Sequence, residues 1–218
     1  MSFVVAIDGP AGSGKGTVTK KVGEKLGLVN IDTGAMFRCV TLNMIEENVN
    51  LEDEAKIEEI LNKIEIDMKE NGQIFLNGKE VTNRIRENDI NKFVSPVSII
   101  PDVRKKLLDL QRKVSQGKKV IMEGRDIGTV VFPNANVKIY LDATPEERAK
   151  RRMKQNQENG ISSSYEEILE SIINRDKKDM TREVAPLKRA EDAIYIDSSN
   201  MSIEETVEEI IKIIKNVL

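Results

Sequence analysis

Short apolar runs recur along the chain at 3–7, 28–31, 119–123, 137–141 and 193–196, each continuous rather than alternating. Strands covered on both faces read this way, so the runs predict a buried sheet. Between them lie stretches with helical character at 15–26, 35–47, 102–116, 145–157, 165–179 and 203–217. Strand–helix alternation implies a parallel sheet with right-handed crossovers. The expected class is α/β, a five-stranded parallel sheet flanked by helices, with ligands at the carboxyl ends of the strands.

One segment departs from this rhythm. Residues 64–68 alternate apolar and polar positions, and two Asn-Gly pairs, Asn71-Gly72 and Asn77-Gly78, then fall between short β-like runs. Asn-Gly suits the twist of a tight hairpin, so two such turns are expected. Residues 63–92 therefore read as a small antiparallel β insertion with a following helix, either surface decoration or a subdomain that closes on a substrate. Further on, Thr144 is the expected N-cap of a helix, with Pro145 at its first position and Glu147 completing a capping box. Ser164 and Glu167 repeat the box before the next helix. With a break at Asn159-Gly160, residues 145–182 form a charged helical hairpin, solvated or acting as a lid. The core is left with 1–62, 93–144 and 183–218.

The segment richest in chemistry is Gly9-Pro10-Ala11-Gly12-Ser13-Gly14-Lys15-Gly16-Thr17, between the first strand and the first helix. Glycines let a backbone wrap an anion and turn several N–H groups toward it. The helix start adds its positive end, and Lys15 adds a full charge near the β- and γ-phosphates. The plain alternative is an ordinary glycine-rich turn. All nine residues are candidate ligands of ATP, with Mg2+ as the accompanying ion and its protein ligands unassigned. Gly16 stands where this motif usually has Ser or Thr, and Thr17 follows it. The Gly-Lys-Gly-Thr ending resembles nucleoside-monophosphate kinases among the phosphate-loop kinases. That moves the expectation from nucleotide hydrolysis toward transfer to a small acceptor.

Acceptor candidates lie at other strand ends. Thr33, after the second strand, either bonds a ligand or caps the helix, and Arg38 one turn on either reaches an anion or is solvated. The third strand ends in Glu123-Gly124-Arg125-Asp126, which arranges charge around a second nucleotide or forms a local ion pair. Arg104 faces that cleft or solvent, and Ser95 before Pro96 suits a plain turn. In the hairpin, Arg148, Arg151 and Arg152 share one helical face. Arg175, Asp176, Asp179 and Arg182 end the second helix, and arginine-rich inner faces suit a lid that replaces water around phosphates.

Composition narrows the classes. The 218 residues carry 34 basic and 37 acidic side chains, a net charge of −3, which argues against a broad surface for polymeric nucleic acid. One cysteine, Cys39, excludes an internal disulfide and a cysteine zinc cluster. With no histidine, triads and histidine metal sites are excluded. No apolar stretch approaches the length of a membrane span, and the first strand begins without a signal peptide's pattern. A cytoplasmic, monomeric enzyme is expected.

Taken together, these residues resemble the bacterial cytidylate kinase family, which phosphorylates CMP and dCMP. The resemblance runs nearly end to end: Ile7-Asp8-Gly9-Pro10, Asp32-Thr33-Gly34-Ala35 with Arg38, Gly124-Arg125-Asp126 with 128–133, 138–143, Glu146-Glu147-Arg148 with Arg151-Arg152, and 184–187. It implies an acceptor site on Thr33, Arg38, Ser95, Arg104, Arg125, Asp126, Asp179 and Arg182, and a monophosphate-binding role for 63–92. Family members often have Ser at the position of Thr33 and Asp at that of Glu123. The implied chemistry is in-line transfer of the γ-phosphoryl group of ATP to the CMP phosphate. Lys15 would hold the donor, Arg148, Arg152 and Arg175 would balance the transferring group, and Arg38 and Arg125 would orient the acceptor. A kinase for AMP, UMP or shikimate is the rival enzyme reading, and a nucleotide-binding regulatory module the rival outside enzymes.

Overall fold

The computed structural model describes residues 2–69, 71–158 and 160–217. Asn159, half of the expected break in the helical hairpin, lies outside the described residues. In chain order the first elements are β1 (Phe3–Asp8), α1 (Lys15–Leu26), β2 (Val29–Asp32), α2 (Thr33–Glu46), α3 (Glu54–Lys63), β3 (Ile66–Met68), β4 (Ile74–Leu76) and β5 (Lys79–Glu80). Then follow α4 (Asn88–Ser98), α5 (Pro101–Ser115), β6 (Lys119–Gly124), β7 (Val137–Asp142), α6 (Pro145–Glu158), α7 (Tyr165–Thr181), β8 (Ile194–Asp197) and α8 (Ile203–Lys215). The chain forms two compact units, one of Met1–Asn30 with Gly117–Leu218 and one of Ile31–Gln116.

The main sheet has the order β2-β6-β1-β7-β8, five parallel strands as the apolar runs predict. In the first unit, Val5, Ile7, Ile121, Ile139 and Leu141 of the central strands pack with Val18 and Val22 of α1 and with Ile210 and Ile214 of α8. Burying each such side chain contributes about 1.5–3 kcal/mol, which is what holds the helices on the sheet. Helix α1 lies very close: a Cβ on Gly23 would stand 2.9 Å from the Leu28 carbonyl oxygen and 3.4 Å from Ile121 Cγ2. Edge strand β8 differs from expectation, burying only Ile196 while Ile194 and Tyr195 are exposed.

Sheet order also locates a site. From β1 the chain leaves toward β2, on one side, whereas from β6 it proceeds to β7 on the other. Neighbours β1 and β6 thus straddle a switch point, where a crevice opens beyond the strand ends. Their register pairs Ile7 with Glu123 and Asp8 with Gly124, so the segments that follow, 9–17 and 125–131, start side by side.

In the second unit, α2 packs against α3, α4 and α5. Helix α3 is absent from the sequence reading, although Asp53 caps it at Lys56 N and Ile57, Ile60 and Leu61 are buried at helical spacing. The three-stranded antiparallel sheet β3-β4-β5 is as expected. Asn77 and Gly78 have φ of 49° and 80°, the two left-handed residues of a tight hairpin turn. Asn71-Gly72 lies in the other hairpin turn, which closes differently: Lys69 N donates to Gln73 O and Gly72 N to Lys69 O, both at 2.9 Å, with Gly72 left-handed at φ 86°. Ser95 and Pro96 also fall inside α4 rather than in a plain turn, their helix being held by buried Ile90, Val94 and Val97. Apolar burial outweighs the cost of a proline that has no N–H to give the ladder.

Candidate active site

Loop 9–17 adopts the conformation its glycines permit. Gly9, Gly12 and Gly14 have φ of 153°, 81° and 90°, and a Cβ on Gly9 would fall 2.0 Å from the Leu141 carbonyl oxygen. Only glycine fits there. Gly14 is the N-cap of α1 and offers no side chain, so no side-chain cap bonds the first N–H groups of the helix. Lys15 is buried and curls back, its Nζ donating to Pro10 O at 2.7 Å and Ser13 Oγ at 3.2 Å. Burial pushes its ammonium down to about 7, Arg125 and Arg175 repel it, and Glu123 and Asp8 work the other way.

Behind the loop sits Asp8, the last residue of β1. Its Oδ1 accepts from Ile127 N at 2.8 Å and its Oδ2 from Gly128 N at 2.7 Å. These are the first N–H groups of a π-helical turn, Ile127–Val131. Burial pushes the Asp8 carboxyl up to about 6, partly offset by the two donated bonds. Glu123, buried at the end of β6, brings Oε1 to 3.0 Å from where a Cβ on Gly16 would stand.

Beyond β6 the charges interlock. Arg125 Nε donates to Asp179 Oδ2 at 3.0 Å, Arg182 Nη1 lies 3.7 Å from Asp179 Oδ1, and Arg182 Nη2 lies 3.8 Å from Asp126 Oδ1. Two short stretches far apart in sequence, 125–126 and 179–182, thus form one ladder with little exposure. On α6, Arg148 is buried: Nε donates to Ala143 O at 2.8 Å, Nη1 to Ala11 O at 3.1 Å, and the guanidinium makes a two-point pair with Asp176 of α7. Arg151 turns to Ser198, whose hydroxyl reaches Ser13 O at 3.5 Å. Arg152 does not join them. It is exposed and donates to Gln155 Oε1 at 3.0 Å, so the three arginines do not act as one face.

Of the two expected capping boxes, one is incomplete. Glu147 N does donate to Thr144 Oγ1 at 3.3 Å, but Thr144 N donates to Ser199 Oγ at 2.9 Å and the Glu147 carboxylate takes Lys150. The box at Ser164 and Glu167 is complete in both directions.

The second unit holds the other acceptor candidates. Thr33 is buried at the start of α2 and is not its cap, since Asp32 Oδ1 accepts from Ala35 N at 2.9 Å. Arg38 donates to Ile85 O at 3.1 Å and Asn91 Oδ1 at 2.7 Å, so α2 and α4 both orient it. Arg104 lies over the Phe37 ring at 5.4 Å and donates to Ser98 O at 3.0 Å, and Ser95 O accepts from Ser98 Oγ at 2.9 Å. Hence Arg104 and Ser95 adjoin one short stretch of chain.

A glycine loop at a switch point with a buried lysine, joined by acid–arginine pairs at the next strand end, defines a phosphate-loop kinase. The family model for cytidylate kinase matches residues 5–216. Cytidylate kinases from Fusobacterium nucleatum and Caldicellulosiruptor bescii are 48% and 47% identical, covering 99% and 97% of this chain and the same shares of their own. The chain belongs to the cytidylate kinase family. A gluconokinase from Sinorhizobium meliloti shares the fold with a TM-score of 0.52 at 12% identity, over 99% of this chain and 94% of its own. No helix among the described residues is long and apolar enough to cross a membrane.

Sequence reasoning assigned no role to Asp8 or Ser198. Asp8 carried a signal, an acid at the last position of a buried strand. For Ser198 there was none, because its partners lie far away in the chain.

Proposed function

We infer that this chain transfers the γ-phosphoryl group of ATP to CMP and dCMP, giving CDP and dCDP. What carries the reading is the Arg125–Asp179–Arg182–Asp126 ladder at the end of β6, one strand from the phosphate loop. Cytosine presents an exocyclic amine that needs an acceptor and ring O2 and N3 atoms that need donors, and carboxylates beside arginines offer both. Acceptor recognition is assigned to Thr33, Arg38, Ser95 and Arg104 in one unit, and to Arg125, Asp126, Asp179 and Arg182 in the other. Residues 63–92 would serve the monophosphate, and the α6–α7 hairpin within 145–182 would close on the donor phosphates. The remaining segments, 1–62, 93–144 and 183–218, would form the core, in a cytoplasmic monomer.

Mechanistically, the attacking oxygen of the CMP phosphate already carries negative charge, so no strong base is required. Catalysis reduces to alignment and charge stabilisation. Lys15 and the amides of 9–17 hold the donor phosphates. Arg175, close enough to Lys15 to depress its proton affinity, supplies charge beside them. Arg148 adds charge at Ala11, and Arg152 contributes after turning from Gln155. The donor set also fits magnesium: the Glu123 carboxylate beside Gly16 is a hard oxygen ligand. Among the described residues there is no cage of three or more such groups, as suits an ion that arrives with phosphates and keeps several waters. Bound there, it would neutralise the donor oxygens.

A coupled assay of ADP release tests the reading, with CMP, dCMP, UMP, AMP and shikimate as acceptors. At least tenfold preference for CMP and dCMP is expected. Equal use of UMP or AMP overturns the acceptor assignment, and ADP release unaffected by any acceptor favours a regulatory module.

A further inference from the structure

We propose that Asp8 is a positioning residue that aims the Arg125–Asp126 segment at the acceptor by clamping the turn after it to the base of the phosphate loop. The proposal rests on the phosphotransfer reading above but concerns a residue that reading leaves unused.

Asp8 is the last residue before Gly9, so its backbone is continuous with the donor cradle. Both carboxylate oxygens are committed to the other side, at 2.8 Å to Ile127 N and 2.7 Å to Gly128 N. A two-point bond fixes both the distance and the tilt of the peptide it holds. The turn it holds controls the residue in question: Val130 N and Val131 N donate to Asp126 O at 2.9 Å and 3.1 Å. Asp126 is therefore gripped from both ends of the turn, with its side chain beside Arg182.

The opposite wall is equally fixed. A Cβ on Gly128 would meet Lys138 Cδ at 3.2 Å and Asp8 Oδ2 at 3.4 Å. Lys138 cannot yield cheaply, since its Nζ donates to Pro133 O at 2.5 Å and to Asp192 Oδ1 at 2.8 Å. Gly128 thus sits in a slot with Asp8 on one side and an anchored lysine on the other. A buried carboxylate is a costly way to satisfy two backbone donors, and burial has raised its pKa in spite of them. Asparagine, its near isostere, has one acceptor and would set an amide donor against the second N–H.

Two variants test this, Asp8→Asn and Gly128→Ala, which disturb the clamp from opposite sides. Wild-type turnover over the acceptor panel is measured first and tests the phosphotransfer reading alone; each variant is then compared with wild type on the acceptor that wild type prefers. Both variants are expected to raise that acceptor's KM at least tenfold. In Gly128→Ala, which leaves the Asp8 charge beside Lys15 in place, the Kd of a fluorescent ATP analogue, titrated without acceptor, should stay within about threefold, and both variants should melt cooperatively. A loss of melting temperature with an unchanged acceptor KM would reduce Asp8 to a structural role and overturn the proposal. So would equal weakening of ATP and acceptor in both variants. Wild type that uses no acceptor at all sinks both readings, whereas preference for an acceptor other than CMP sinks only the first.

Discussion

The Glu123 carboxylate occupies the space that a side chain on Gly16 would need, with Oε1 3.0 Å from the ideal Cβ position. Two departures visible in the sequence, glycine after the motif lysine and glutamate at the end of the third long strand, thus meet at one point. Gly16 has an ordinary helical backbone at the second position of α1, so alanine there gains helix propensity worth up to about 1 kcal/mol. In this protein the gain should be lost to displacement of Glu123. Urea unfolding of Gly16→Ala is expected to show no stabilisation, and the same change in a Glu123→Asp background to show roughly 1 kcal/mol. Identical effects in both backgrounds would mean the carboxylate moves freely.

Lys15 carries a pH prediction. In the unliganded protein its ammonium has been pushed down to about 7, chiefly by burial and then by Arg125. Phosphate oxygens favour the charged form, so binding ATP raises this pKa. Above pH 7, binding therefore takes up a proton and affinity falls as pH rises, by up to about tenfold per unit. Calorimetry at pH 8 in buffers of different ionisation enthalpy should report uptake of most of a proton. Lys15→Met should abolish the uptake, and Lys15→Ala should cut turnover by orders of magnitude with the fold intact. Absence of uptake in wild type would mean that the lysine is already charged before ATP arrives.

How much of this was legible follows from how local each signal is. Loop 9–17 was readable because its glycines and lysine lie within nine residues, and the five long strands because each is an unbroken apolar run. Helix α3 carried a readable pattern at Ile57, Ile60 and Leu61, diluted by the acids and lysines around it. The π-helical turn could not be read, since the carboxylate that holds its first N–H groups belongs to Asp8, 119 residues away. The same distance effect hid the role of Arg148: its helical spacing showed an arginine on a face, but Asp176 lies 28 residues on. Pro96 misled for the opposite reason, a strong local preference overruled by burial of Ile90, Val94 and Val97.

Cys39 gives an independent probe of the second unit. It is fully buried on α2, and burial, with some help from Asp32, pushes its thiol up to about 12. Thiolate is the reactive form, so native protein at pH 8 should react with Ellman's reagent only through opening of the unit. One thiol should be released in denaturant. Because Arg38 is one residue away on the same helix, bound CMP should slow the native labelling at least several-fold by stabilising the closed form. Prompt labelling of the native chain would contradict the burial, and labelling indifferent to CMP would count against Arg38 as an acceptor residue.

Arg148 and Asp176 make the strongest test of the hairpin. Their pair is buried and two-pointed, and Arg148 also donates to Ala11 of the phosphate loop. Removing one partner leaves a buried charge uncompensated, which typically costs about 3–5 kcal/mol, so Asp176→Ala should unfold at much lower urea. Replacing both partners by apolar residues, Arg148→Met with Asp176→Leu, is often nearly neutral for stability and should recover most of that loss. Turnover should not recover with it, because methionine cannot donate to the Ala11 carbonyl or place charge at the loop. Paired urea titrations and steady-state assays on the single and double variants separate the two effects. A double variant with both stability and turnover restored would show that the pair only holds α6 to α7.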